Sequence, residues 1–300
     1  MRPIADDIDT SFRAMTVPGH LRAYAELTKP SVTRMVLITT LCGSAIAPGP
    51  LDWPRAAYAL LGMALVVGSA NALNMVLERD SDALMERTRN RPLPTGRISA
   101  RGATWFGLVL VVVGLAVLLW KVGLTAAWLS AIAHVLYVLV YTPLKRMTPL
   151  ALHVGGVPGA LPPVIGWASM TGHTEAGAWA LFAILFIWQL PHFLAISIFR
   201  KDEYARAGIR VFPVSEGLRN TKRAVAIYSV ALLGTTLWPY QMGLGGIGYL
   251  TIAAVLGLAF AVLGVAGVRV ANESRWARIV FFASLPYLVL VYGALVAAAV

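Results

Sequence analysis

Residues 56–91 read AAYALLGMALVVGSANALNMVLERDSDALMERTRNR, an apolar run that changes abruptly into a block of paired charge. The apolar part, 56–73, carries no charged side chain, and about 20 such residues of helix cross a bilayer core. The charged part contains four of the 14 acidic residues of the chain, together with four arginines. These residues are Glu78, Asp80, Asp82 and Glu86, and Arg79, Arg87, Arg89 and Arg91. The stretch therefore predicts a membrane helix whose end carries a charged site.

The composition of the whole chain is that of an integral membrane protein. Of its 300 residues, 58% are hydrophobic and 13% are charged, and the mean hydropathy is +0.71. Soluble domains average about 25% charged residues. The single cysteine, Cys42, excludes a disulfide within the chain and a site built from several cysteines. Residues 1–30 are polar and lack the pattern of a cleavable signal peptide, so we expect a cytoplasmic N-terminal segment there.

The lengths of the apolar runs predict an all-α protein with nine transmembrane helices around a central cavity. The strands of a membrane barrel would be about ten residues long and strictly alternating. The expected limits of the helices are 32–48, 54–77, 102–120, 124–141, 148–169, 176–199, 223–240, 246–268 and 277–299. They make residues 31–300 a single polytopic domain, and Pro162-Pro163 should kink the fifth helix.

The basic residues predict the orientation, because lysine and arginine accumulate on the cytoplasmic side of a membrane. With a cytoplasmic N-terminus, all but two of the 25 lysines and arginines lie inside, the exceptions being Arg55 and Lys121. Nine helices then place the C-terminus on the opposite side. This bias accounts for most of the net charge of +11, so no nucleic-acid partner is implied. We expect a multi-pass protein of the inner (cytoplasmic) membrane, with its active site on the cytoplasmic side.

Four side chains of the charged block share one face of a predicted helix. Asn74, Glu78, Asp82 and Glu86 recur every four residues, whereas Asp80 lies off this stripe. Stacked carboxylates repel one another, so a cation must compensate. Two kinds of compensating cation are compatible with the sequence. The neighbouring arginines would form an ion-pair network, and Mg²⁺ would take a few carboxylates and complete its shell with water and phosphate oxygens.

A second acid-and-base block follows the predicted sixth helix, in the sequence WQLPHFLAISIFRKDEYARAGIRVFPV at 188–214. It contains Asp202 and Glu203 among Arg200, Lys201, Arg206 and Arg210. A third cytoplasmic turn, YTPLKR, adds Tyr141, Lys145 and Arg146. Two such blocks on one membrane face favour a polyanion held through a metal ion, which neutralises charge on a leaving oxygen. With apolar helices beneath, the pattern indicates a prenyl diphosphate.

Three stretches of the chain resemble the UbiA superfamily of intramembrane prenyltransferases. They are NMVLERDSDALMERTRNRPLPTGRIS at 74–99, YTPLKRMTP at 141–149 with GGVPGALPPVIGWAS at 155–169, and the block at 188–214. The last, through its HF…RKDEYARAG pattern, is similar to the branch of the superfamily that modifies heme. Together with the helix count, the resemblance covers most of residues 25–299.

The resemblance implies a reaction and its partners. Farnesyl diphosphate loses diphosphate with help from Mg²⁺, and a vinyl group of heme b (protoheme IX) takes up the farnesyl group with addition of water, which gives heme O. The cavity must be dry so that water does not quench the cation early. The implied partners are farnesyl diphosphate, heme b, the lipid bilayer and a downstream heme-oxidising enzyme or terminal oxidase.

The resemblance also implies roles for individual residues. The metal ligands would be Asn74, Glu78, Asp80, Asp82, Asp202 and Glu203. The catalytic set would be Asn74, Glu78, Asp82, Asp202, Glu203 and Lys145. The diphosphate would contact Arg79, Arg87, Arg91, Tyr141, Arg146, Arg200 and Lys201. His192 is expected to face the same cavity, where heme ligation and a hydrogen bond across helices are both open. The sequence departs from the pattern of the superfamily at two places. Glu78 stands where Asp is more usual, and ALH at 151–153 stands where an Asn is expected.

Two other functions remain open on the sequence alone. A related enzyme would prenylate a quinone or chlorin precursor, although the RKDEYARAG segment favours heme. A transporter of anionic amphiphiles would carry its charged site near the bilayer midplane, whereas the charged blocks here are predicted at one face. A covalent product distinguishes the enzymes from the transporter.

Overall fold

The computed structural model describes residues 17–299, and every regular element in that range is helical. Residues 1–16 of the predicted cytoplasmic segment lie outside it. The helices are α1 (Val17–Leu27), α2 (Pro30–Ile46), α3 (Trp53–Ala83), α4 (Ala100–Lys121), α5 (Leu124–Val135), α6 (Thr142–Leu144), α7 (Ala151–Ala160), α8 (Pro162–Thr171), α9 (Ala176–Phe199), α10 (Lys201–Arg206), α11 (Phe212–Ser215), α12 (Gly217–Gln241), α13 (Ile247–Ala266) and α14 (Glu273–Ala299). The predicted all-α class is confirmed.

Within residues 17–299, six helical segments are long and apolar enough to cross a membrane. They are α3, α4, the stretch Leu124–Leu144, α9, α13 with its 3₁₀ extension to Arg269, and α14. The other three predicted spans are also helical but differ in character. α2 has 17 residues, the span predicted at 148–169 is divided in two, and α12 begins with the polar sequence GLRNTKR. A multi-pass membrane protein is therefore supported, and the count of nine spans stays a prediction.

The divided span is interrupted at Leu161, between α7 and α8. Pro162 and Pro163 follow directly, and neither has an N–H group with which to continue the helical hydrogen-bond ladder. The two ten-residue halves can therefore take different directions. The helix is thus interrupted at the position where the sequence predicts a kink.

α8 packs against α2 through glycines on both helices. A Cβ atom on Gly166 would overlap the carbonyl oxygen of Thr40, and one on Gly43 would overlap that of Pro163. Ser44, which is buried, donates its Oγ hydrogen to the Gly166 carbonyl oxygen at 3.0 Å. Small residues allow membrane helices to approach this closely, so the two backbones touch here.

α5 passes into a π-helical segment, Leu136–Tyr141, before the short α6 begins at Thr142. The Oγ of Thr142 donates to the carbonyl oxygen of Tyr137 at 2.8 Å, five residues earlier. π-Helical turns are rare and occur frequently at functional sites. This one directly precedes Lys145, a predicted site residue.

The two charged blocks, which follow from the ends of α3 and α9, are in contact with each other. The backbone N–H of Arg87 lies 3.4 Å from the Glu203 carboxylate, which joins the segment after α3 to α10. α1 covers the outside of this region, where Ala23 and Leu27 pack in a buried cluster with Ala72 of α3. The fold thus brings together two blocks that are more than 100 residues apart in the sequence.

Candidate active site

A cavity of about 1360 Å³ lies where α3, α5, α7, α9 and α10 meet. One end is lined by charged residues of both blocks. Farther along the helices the lining becomes apolar and includes Met63, Val66, Val67, Ala133 and Leu194. A charged mouth above an apolar chamber suits an amphiphile with an anionic head group.

α3 presents its polar stripe to this cavity. The helix continues to Ala83, beyond the predicted limit of residue 77, so Asn74, Glu78 and Asp82 remain on one regular helix. Their exposed fractions are 2%, 4% and 1%, and all three line the cavity. The predicted shared face is confirmed for these three residues. It fails for Glu86, which is exposed because the helix has already ended.

The two buried carboxylates of α3 are each paired with a basic residue. Lys145, from the turn after α6, forms an ion pair with Glu78. The Nη1 of Arg91 donates to the Oδ2 of Asp82 at 2.6 Å. The other carboxylate oxygen of Asp82 is buried and has no hydrogen-bond partner among residues 17–299. Buried polar atoms are normally satisfied, so this oxygen is a candidate for a ligand atom.

Lys29 is a site residue that the sequence analysis missed. Its Nζ donates to the Oδ1 of Asn74 at 2.8 Å, and its backbone is left-handed, with φ 47°. Non-glycine residues rarely adopt that conformation, and such strain is typical of functional sites. Burial and then the charge of Arg91 lower the pKa of Lys29 to about 7, and a bound anion would raise it again. The signal in the sequence was a lysine directly before the proline that begins α2.

α10 brings the second acidic block to the rim of the cavity. Burial raises the pKa of Glu203, but hydrogen bonds from Arg200 at 2.8 Å and from the Arg87 backbone outweigh it, so the pKa is lowered overall. Asp202 also lines the cavity. It is exposed and forms no ion pair within the described part of the chain. Both predicted acidic motifs therefore reach one cavity mouth.

The structure brings ten of the predicted site residues into the cavity lining. They are Asn74, Glu78, Asp82, Arg87, Arg91, Tyr141, Lys145, Arg200, Asp202 and Glu203. Those that do not line it are Arg79, Asp80, Arg146, Lys201 and His192. Asp80 lies about 200° around α3 from Glu78, and it pairs with Arg79 at the surface, at 3.2 Å. Arg146 donates to the Oγ of Ser81 at 3.0 Å.

His192 faces α14 and does not line the cavity, contrary to expectation. Its Nδ1 lies 2.6 Å from the Oγ of Ser284. Its ring stacks on Trp188 at 4.7 Å and lies 4.8 Å from Phe281. α14 covers this flank of α9, so the arrangement favours the hydrogen bond across helices over heme ligation. A different histidine, His134 of α5, does line the cavity.

The donor set of the α3 stripe suits Mg²⁺. Asn74, Glu78 and Asp82 offer amide and carboxylate oxygens, which are hard ligands, and one oxygen of Asp82 lacks a partner within residues 17–299. In the same range, no three or more His, Cys, Asp or Glu side chains are grouped so that they could hold a metal alone. Mg²⁺ commonly binds through one or two carboxylates plus phosphate oxygens, which agrees with both observations.

Comparisons with known sequences find relatives over most of the chain. The family model described as the UbiA prenyltransferase family matches residues 36–285. A protoheme IX farnesyltransferase of Sorangium cellulosum (strain So ce56) is 52% identical over 239 residues, which are 80% of this chain and 85% of that protein. Another, of Myxococcus xanthus (strain DK1622), is 45% identical over 283 residues, which are 94% of this chain and 96% of that protein.

Solved structures share the fold at low sequence identity. A digeranylgeranylglyceryl phosphate synthase superposes with a TM-score of 0.81 at 18% identity, covering 93% of this chain and 98% of that one. A UbiA homolog from Archaeoglobus fulgidus bound to GPP and Mg²⁺ gives 0.64 at 17% identity, covering 91% and 99%. The family match and the close relatives together show that this chain belongs to the UbiA prenyltransferase family.

Proposed function

We propose that the chain transfers a farnesyl group from farnesyl diphosphate to a vinyl group of heme b, with addition of water, to give heme O and diphosphate. The observation that carries the proposal is the meeting of both acid-and-base blocks at the mouth of one apolar cavity. The close relatives named protoheme IX farnesyltransferase support heme b as the acceptor.

Mg²⁺ would be held by Asn74, Glu78 and Asp82 of α3, with Asp202 and Glu203 across the cavity mouth. A bound Mg²⁺ supplies charge neutralisation on the departing diphosphate. The homolog that binds GPP and Mg²⁺ supports this assignment by analogy. Arginine binds phosphate oxygens bidentately and lysine binds them as a point charge. Lys145 and Arg91 would therefore turn from the acids, and Lys29 from the Asn74 amide, to the diphosphate.

The proposal is tested by extracting heme from a host that lacks its own enzyme and expresses this chain. Mass analysis should find a farnesylated, hydrated heme, and its formation in isolated membranes should require Mg²⁺. Unmodified heme b alone, beside folded protein in the membrane, would refute heme farnesylation. Radiolabelled prenyl diphosphate would then reveal a quinone or chlorin acceptor, and flux into vesicles without a covalent product would indicate transport.

We propose that Gln189 of α9 holds the water that the reaction consumes. Its Nε2 donates to the Gly156 carbonyl oxygen at 2.7 Å, which fixes the amide. Its Oε1 abuts Gly159, where a Cβ would lie 2.6 Å away, and the residue lines the apolar part of the cavity. We expect Gln189→Leu to shift the product from the hydroxylated heme toward an alkene, because the cation then loses a proton before water adds. Mass analysis of the product ratio checks this, and an unchanged ratio would contradict it.

The predicted topology supplies a separate test. We propose nine spans in the inner membrane, with the N-terminus and the active site on the cytoplasmic side. A reporter enzyme that works only in the periplasm should be active when fused after Val300 and silent when fused near Asn90. The reverse pattern would refute the orientation inferred from the basic residues.

A further inference from the structure

Arg278 of α14 lines the cavity beside Phe199, the last residue of α9. Its guanidinium lies 5.6 Å from the ring centre of Phe199. Unlike Arg91, Lys145 and Arg200, it forms no ion pair with a carboxylate anywhere in residues 17–299. The rim of the cavity therefore carries a cation that is available to an anionic ligand.

An aromatic wall runs from Arg278 into the cavity. Phe199 and Phe281 meet edge to face at 5.9 Å, and Phe281 lies 5.1 Å from Phe282. Phe193, six residues before Phe199 on α9, also lines the cavity, about 9 Å away along the helix axis. A cation above a row of aromatic rings fits a flat, apolar ligand that carries its negative charge at one edge.

We propose that Arg278 binds a propionate carboxylate of the heme acceptor, with the porphyrin against the phenylalanine wall. This inference rests on the proposed function. Heme b carries its propionates on one edge of the ring and its vinyl groups on the edge away from them. Anchoring a propionate at the rim directs the vinyl edge into the apolar chamber. Arginine suits this role because its fork bonds a carboxylate bidentately.

The diphosphate would have its own cations at the α3 stripe, whereas Arg278 shares the Phe199 ring with Arg200, whose guanidinium lies 5.9 Å from it. Lys145 and Arg91 are paired with the acids of α3, where a metal bridge to phosphate is available. Arg278 forms no ion pair with an acid within residues 17–299, whereas Arg200 is paired with Glu203, so a carboxylate that needs no metal is the better match for Arg278. The phosphate of a lipid head group shares the anionic chemistry, and the experiment must separate the two.

The first measurement is steady-state kinetics of purified enzyme in nanodiscs. Arg278→Gln should raise the KM for heme about tenfold, because a charge-assisted hydrogen bond is lost, and should leave the KM for farnesyl diphosphate unchanged. Arg278→Lys should recover part of the loss, which also guards against a folding defect. Arg275→Gln is the matched control, since Arg275 is exposed on the same helix and does not line the cavity.

The decisive measurement replaces heme by its dimethyl ester, which lacks propionate charge. The wild-type enzyme should bind the diester about tenfold more weakly than heme, and Arg278→Gln should bind both equally. An equal loss for heme and diester that varies with the lipid composition would assign Arg278 to a head group. An unchanged KM for heme in Arg278→Gln would overturn the inference while wild-type turnover upheld the function. A wild-type enzyme without farnesylated heme would instead refute the proposed function itself.

Discussion

Asp82→Asn is expected to lower farnesyl transfer at least about a hundredfold per molecule of folded protein. The substitution keeps the volume of the side chain but removes the charge that holds a hard cation. Asp82 is 1% exposed, and in the described part of the chain only one of its carboxylate oxygens has a hydrogen-bond partner, Arg91 at 2.6 Å. The unpartnered oxygen marks it as the strongest metal-ligand candidate of the stripe.

A purely structural role for the Asp82–Arg91 pair predicts a different outcome. Breaking a buried ion pair costs about 3–5 kcal/mol, so the variant would accumulate poorly, and the folded fraction would turn over normally. Turnover must therefore be measured on purified protein and divided by the folded amount. Raising the Mg²⁺ concentration should restore part of the activity only if metal binding is what was lost.

The controls for Asp82→Asn come from the same acidic blocks. Asp80→Asn should leave turnover unchanged, because Asp80 is exposed outside the cavity. Glu78→Asp should retain activity, since it restores the residue more usual in the superfamily. Asp202→Asn should also lose activity, and its exposed position makes a folding defect unexpected. Near wild-type rates for both Asp82→Asn and Asp202→Asn would refute the two-block site.

Gly166→Val should greatly reduce the amount of folded protein. Its Cβ would overlap the carbonyl oxygen of Thr40, and no change of rotamer relieves a collision with backbone. Overpacking typically costs about 1–3 kcal/mol, and here two helices must also separate, which breaks the bond from Ser44. The total stability of a domain is about 5–15 kcal/mol, so a loss above the usual range for overpacking should lower both the midpoint of thermal unfolding and the yield of monodisperse protein after detergent extraction.

Gly234→Ala is the matched control for Gly166→Val. Like Gly166, Gly234 lies within a helix, in this case α12. Unlike at Gly166, no atom lies within 4 Å of a Cβ built at Gly234. Alanine in a helix is favoured over glycine by about 0.5–1 kcal/mol, so the midpoint of thermal unfolding should stay the same or rise. Wild-type yield and unfolding midpoint in Gly166→Val would contradict the close crossing of α2 and α8.

The polar stripe of α3 could be predicted because helical periodicity is a local property. A spacing of four residues is sufficient to place Asn74, Glu78 and Asp82 on one face and Asp80 on another. The same reasoning failed for His192, because the flank of α9 that faces the cavity depends on where α14 packs. Lys29 was missed for the same reason, since its contact with Asn74 joins the residue before α2 to α3, which is distant in the sequence.

The same distinction between local and long-range effects applies to the membrane spans. The break in the span at 148–169 follows from two adjacent prolines, which act on their own helix. The end of α3 was placed too early, at residue 77, because hydropathy reports contact with lipid and not the end of a helix. α3 continues through its charged residues to Ala83, since Lys145 and Arg91 neutralise the acids from outside the helix.

The π-helical segment at 136–141 makes the length of its span adjustable. A π turn accommodates one residue more than an α turn and keeps the helices before and after it nearly in phase. Loss of one residue there would convert the turn to α and leave Lys145 directed at Glu78. The part of α3 between Asn74 and Asp82 has no π turn that could absorb a deletion. Loss of one residue there would rotate Asp82 by about 100° relative to Asn74. Over evolution, insertions and deletions should therefore gather at 136–141, where an alignment gap marks a change of helix type and not a lost site.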